Sequence, residues 1–147
     1  MLSYKLTDTP KIVDARTALI CARLYLRGGK RRLRAGYSKA GIAALYDAVL
    51  FGMRYYIARH KRCHSLVETT DLWDASALFD ALARAGIFED PLALNCFSLM
   101  VERALWQESY ALDVDSTLAE VEKMLSKLGV VSPDESSLPG NSSLTIL

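Results

Sequence analysis

An all-α fold, an up-and-down bundle of four or five helices, is what this sequence predicts. Three observations predict it. Apolar residues recur at helical spacing in five separate segments, capping residues stand at the ends of most of them, and the linkers between them are short. At 147 residues, 51% hydrophobic and 24% charged, the chain has the composition of one globular domain with room for a core.

Thr9-Pro10 opens the first helix in this reading, Thr as cap and Pro at the first helical position. Leu19, Ala22 and Leu26 form its core side, Arg16, Arg23 and Arg27 its polar stripe, and Gly28-Gly29 ends it. Lys30 to Gly36 reads as a basic linker. The second helix, Ser38 to about His60, is apolar nearly all round, as a central helix covered by its neighbours would be. Gly41, Ala44, Ala48 and Gly52 offer small surfaces for close helix approach. Asp47 and Arg54 are its only interior charges, and a buried carboxylate needs a partner, which Arg54 or another helix could supply.

Thr70-Asp71 caps the third helix, which carries Leu72, Ala75, Phe79 and Leu82 and stops at Gly86. Asp90-Pro91 starts a fourth helix running to about Tyr110. Asp113 or Asp115 caps a fifth, with Leu118, Val121, Met124, Leu125 and Leu128 buried and Gly129 at its end. The fourth and fifth could also be one helix broken near Leu112–Val114. The helical domain thus covers 1–129, and a tail rich in Ser, Pro and Gly covers 130–147, expected to be flexible.

No apolar run approaches the roughly 18 residues needed to span a bilayer, and the N-terminus has no signal-peptide pattern, so a cytoplasmic protein without membrane partners is expected. Cys21, Cys63 and Cys96 are odd in number and scattered, which suggests reduced thiols. The formal net charge of +1 conceals a division. Residues 1–64 hold 14 Lys/Arg against three acidic residues, a net of +11, while residues 65–147 hold four against 14, a net of −10. Such a division marks either a nucleic-acid surface or two halves that pack with complementary charge.

Three stretches carry a family resemblance: AGYSKAGIAALYDAVLFGMRYYI, LFDALARAGIF and VERALWQESYALDVDSTLAEVEKMLSKL. Together they resemble the HEPN domains, helical bundles associated with nucleotide binding, nucleotidyltransferase partners and RNA cleavage. The resemblance spans roughly residues 11–128. It implies a non-catalytic module for a nucleotide, a nucleic acid or a nucleotidyltransferase-type partner, with no cofactor. The family's RNases place an Arg, four to six residues and a His near the bend of the later helices. The matching place here holds Arg103, six residues and Tyr110, and a phenol of pKa about 10 does not exchange protons near neutrality as imidazole does.

Other candidates follow from the residues themselves. Arg59 and His64 keep an Arg, four residues, His spacing, as Arg54 and His60 keep the five-residue version, so a metal-independent RNase is the alternative function. Both pairs sit at the end of the second helix, where basic side chains also suit the helix dipole. His60, Cys63 and His64 would share a face if that helix continued, making a weak metal site. Arg31, Arg32 and Arg34, and Arg59, Lys61 and Arg62, form two basic clusters able to hold phosphate. About 22 residues of helix separate them by roughly 30 Å, so they belong to opposite ends of the bundle. Trp73, Trp106, Tyr55, Tyr56 and Tyr110 could stack on bases, though aromatics at helical spacing more often fill a core. Leu92, Leu94, Phe97, Leu99, Met100, Val101, Leu105 and Trp106 span more than one face of the fourth helix, which points to a homodimer. A purely structural interaction protein is the third functional class.

Overall fold

Helix α1, Ala15–Arg34, starts where Asp14 leaves the helical conformation and its carboxylate accepts the Thr17 amide at 3.2 Å. The expected start at Thr9-Pro10 lies outside the described residues, which in this computed structural model are 14–68, 70–71, 73–88, 93–106 and 112–131. The helix does not stop at Gly28-Gly29. It runs through both, and Lys30 to Arg34 are its last turns, not a linker. Its end lies at Gly36, which adopts φ +91°; the Tyr37 amide donates to Arg32 O (2.8 Å) and the Gly36 amide to Leu33 O (3.1 Å). This pair of bonds satisfies carbonyls that the helix leaves unpaired, and the positive φ suits glycine.

The reason Gly28-Gly29 stays helical is packing. After a turn over residues 35–37, α2, Ser38–Arg59, returns alongside α1. A Cβ on Gly29 would lie 2.7 Å from Leu45 Cδ2 and 3.1 Å from the Gly41 carbonyl oxygen; one on Gly41 would lie 2.7 Å from Leu33 Cδ2. Each glycine receives the other helix, so α1 and α2 form the most extensively packed pair in the fold.

α2 contacts every other element and buries Gly41, Ile42, Leu45, Val49, Met53 and Ile57 among others, as a central helix should. After it comes a 3-10 segment, Lys61–Glu68. Helix α3, Ala75–Arg84, begins later than expected, because its cap is Asp74, which accepts the Ala77 amide at 3.1 Å. Asp71 instead accepts the Trp73 amide at 2.9 Å, closing a local turn before the helix starts. Gly86 ends α3 with the same cap geometry as Gly36.

Helix α4 is Ala93–Trp106 and helix α5 is Val114–Lys127. The expected Asp90-Pro91 start and the extension to Tyr110 lie outside the described residues. α4 and α5 are separate helices. Asp113 is extended (φ −84°, ψ 103°), its carboxylate accepts the Ser116 amide (3.2 Å) and hydroxyl (3.0 Å), and those bonds hold it below the usual carboxylate pKa range. Gly129 ends α5, but the domain continues past it. Val130 is fully buried, Val131 packs on the core, and the Val130 carbonyl accepts from Arg23 Nε at 2.9 Å. The tail expected over 130–147 lies outside the described residues from 132 on. Lys30 and Glu122 form an ion pair at 2.7 Å between α1 and α5. With Arg23 on Val130, it shows that α5 runs antiparallel to α1. The described residues form five helices around one core, and none of those helices is long and apolar enough to cross a membrane.

Candidate functional site: the carboxyl-terminal end of α2

The last two turns of α2 interleave cations with tyrosines. Tyr55 and Arg59, and Tyr56 and His60, are each four residues apart and so lie one above the other on the helix. The Arg59 guanidinium sits 5.2 Å from the centre of the Tyr55 ring. The His60 ring stacks on Tyr56 with centroids 3.9 Å apart. Arg62, from the 3-10 segment, donates through Nη2 to the Tyr56 hydroxyl at 3.0 Å. Both arginines are exposed, and among the described residues neither has a carboxylate within ion-pair distance. His60 Nδ1 lies 2.9 Å from the Tyr56 carbonyl oxygen, which can only accept, so Nδ1 carries a hydrogen. A Cβ on Gly129 would meet Arg59 Nη1 at 3.0 Å, so Arg59 also lies at the negative end of α5.

The other cluster, Arg31, Arg32 and Arg34, is exposed at the opposite end of α2, just before Ser38. The structure keeps the two clusters apart, as their sequence separation implies. Arg103 is exposed on the last turn of α4. Tyr110 lies outside the described residues, as do the side chains of Lys61 and Cys96.

The two candidate chemistries at this end gain nothing from the geometry. A 3-10 segment, with about three residues per turn, does not stack positions 60, 63 and 64 on one face as an α-helix would. Cys63 is buried in the core, His60 is engaged with Tyr56, and no group of three His, Cys, Asp or Glu among the described residues could hold a metal ion. For RNA cleavage, a general acid or base must reach the substrate. His64 Nε2 is sealed from solvent and has no hydrogen-bond partner among the described residues.

A second feature is not legible as a site in the sequence. Arg54 is 4% exposed, and its Nε and Nη1 have no hydrogen-bond partner among the described residues. Asp47 does not pair with it, because seven residues along one helix is roughly 10 Å; burial instead raises the Asp47 carboxyl pKa. Aromatic rings take the partner's place. The guanidinium lies 4.1 Å from the centre of the Trp73 ring and 5.3 Å from that of Phe51. Trp73 packs edge-on against Phe51 (6.2 Å), and Tyr25 of α1 stacks on Phe51 from another side (5.7 Å). The core assignment expected of both tryptophans does not hold: Trp73 is 66% exposed and Trp106 80% exposed. The one signal available in the sequence is the arginine itself, alone with Asp47 in an apolar helix.

No family model matches the chain, and no curated protein or solved structure matches it at a significant level.

Proposed function

We propose that this domain is a non-catalytic binding module that takes the phosphate groups of a nucleotide or nucleic acid at the carboxyl-terminal end of α2. The observation that carries this reading is a pair of arginines held on tyrosines with no carboxylate within ion-pair distance among the described residues: Arg59 on Tyr55 and Arg62 on Tyr56, with the His60 ring stacked beside them. Ring contacts restrict the rotamers of the cations, so less freedom is lost when phosphate binds. Guanidinium groups pair with phosphate oxygens through planar, directional hydrogen bonds, and half-buried tyrosines beside them give a base a surface to stack on. The HEPN resemblance points the same way, and the basic character of the first 64 residues supplies a favourable field.

Fluorescence anisotropy with a short single-stranded RNA tests this. Binding should weaken as salt rises, and Arg59→Gln with Arg62→Gln should reduce the slope of log K against log salt by about 1.4, roughly 0.7 for each phosphate no longer neutralised. The RNA should stay intact throughout, in metal-free buffer. An unchanged slope in the double variant would remove this site from the binding, and cleavage that disappears in His64→Ala would establish the RNase alternative.

A second reading concerns α4. Leu99 and Trp106 are seven residues apart and 53% and 80% exposed, with exposed Arg103 between them. Seven residues is two turns, so the three form one stripe. We propose that this stripe meets its copy in a symmetric dimer, since a self-complementary contact is the commonest way to cover such a face. Sedimentation equilibrium at micromolar concentration should show self-association that Trp106→Glu abolishes. A 16.3 kDa species at every concentration would rule the dimer out.

A further inference from the structure

We propose that Arg54 is the receptor for a small oxyanion, a phosphate or carboxylate group, that enters beneath Trp73. The site is separate from the Arg59–Arg62 cluster and does not depend on it.

A buried guanidinium loses its hydration, and a protein normally offsets that loss with a carboxylate or with hydrogen bonds. Among the described residues Arg54 has neither at Nε or Nη1. Trp73 and Phe51 offer the faces of their rings, which attract the charge but accept no conventional hydrogen bond. Cys21 of α1 is near Arg54, but sulfur is a weak acceptor for a group that calls for two or more oxygen acceptors. Were the position purely structural, an apolar side chain of similar length would fill it at less cost. What the arrangement lacks is one small acceptor with several oxygens.

Access is built in at Trp73. Its ring lies directly over the guanidinium, yet two-thirds of the residue is in water. It belongs to the short connection between the 3-10 segment and α3, where the Asp71 carboxylate accepts its amide. In the proposed binding step this one side chain turns aside from the guanidinium it covers, with no helix required to move. An oxyanion seated there would meet Arg54 donors already held against the Phe51 ring, on which Tyr25 stacks in turn.

Trp106→Phe leaves Trp73 as the sole tryptophan and its fluorescence as the probe. Inorganic phosphate and acetate are titrated separately against chloride at constant ionic strength. The expected result is a saturable change with one or both anions, and a Tm rise of roughly 3–6 °C at ten times the dissociation constant. Both effects should vanish in Arg54→Met on the same background. A response to phosphate alone, to acetate alone or to both identifies the group taken. A second measurement needs no substitution at Arg54: its side-chain Nε–H resonance should move with the same midpoint as the fluorescence. Absence of any response beyond chloride, persistence in a folded Arg54→Met protein, or a stationary Nε–H resonance would each overturn the proposal. Arg59→Gln with Arg62→Gln should leave the Trp73 response unchanged.

Discussion

Replacing Gly52 by Leu is expected to lower stability by more than about 2 kcal/mol. Gly52 sits on the central helix where α2 meets the end of α5. A Cβ alone would lie 2.9 Å from Leu125 Cδ2 and 3.2 Å from both Leu128 Cδ1 and Val130 Cγ2. Those three residues are fully buried and already close-packed, so three further carbons have no room. The strain would have to push α5 outward or force side chains off their rotamers. Separation at this point would also pull on the Arg23–Val130 hydrogen bond and the Lys30–Glu122 ion pair, which tie the same helix to α1. Urea denaturation measures the effect. An unchanged midpoint with an unchanged slope would mean that Gly52 does not face α5.

The same residue shows how much of the fold is legible in the sequence. A glycine in an apolar helix is costly, and its presence points to close packing before any partner is known. The amphipathic faces of α1 and α5 are legible for a similar reason: Ala22 and Leu26, and Leu118, Val121, Met124 and Leu125, recur at helical spacing and all are buried. The ends are less legible. Gly86 and Gly129 terminate helices as their positions suggest, whereas Gly28-Gly29 has the same local appearance and terminates nothing. Local sequence offers a glycine to either role, and only the partner helix decides between them. The start of α3 is ambiguous for a related reason. Asp71 and Asp74 are equally good caps, and the chain uses the first for the Trp73 turn.

The site is legible in part. Cations at the end of α2 are visible as a run, and helical spacing of four is enough to place Arg59 on Tyr55 and His60 on Tyr56. What spacing does not show is which cations remain without acidic partners. The charge division between halves meets in Lys30–Glu122, yet Arg59 and Arg62 stay outside any such pair among the described residues. Trp73 and Arg54 lie 19 residues apart on different elements, so nothing periodic joins them. Their contact follows from the short connection that folds back over α2, and it gives Arg54 a ring where the sequence offers only Asp47 as a partner.

Gly28→Ala and Gly29→Ala should move stability in opposite directions, although the two glycines are neighbours in one helix. Alanine in a helix interior is favoured over glycine by about 1 kcal/mol, and this gain applies equally to both positions. Their surroundings differ. A Cβ on Gly28 meets only the far end of the Arg32 side chain, with Nη1 at 2.6 Å, and a long exposed guanidinium can swing away. Gly28→Ala therefore keeps most of the helix gain and should raise the urea midpoint. A Cβ on Gly29 meets Leu45 Cδ2 and Cγ at 2.7 and 2.8 Å, and the Gly41 backbone oxygen at 3.1 Å. Leu45 is fully buried and the Gly41 carbonyl belongs to α2, so relief requires the two helices to part. Overpacking of this kind costs about 1–3 kcal/mol, which outweighs the helix gain, and Gly29→Ala should lower the midpoint. Gly41→Ala should lower it as well, because its Cβ would meet Leu33 from the opposite side. A rise in both Gly28→Ala and Gly29→Ala would mean that α1 and α2 do not meet at this glycine pair. A fall in both would mean that the chain needs flexibility between residues 28 and 29, as a helix end there would.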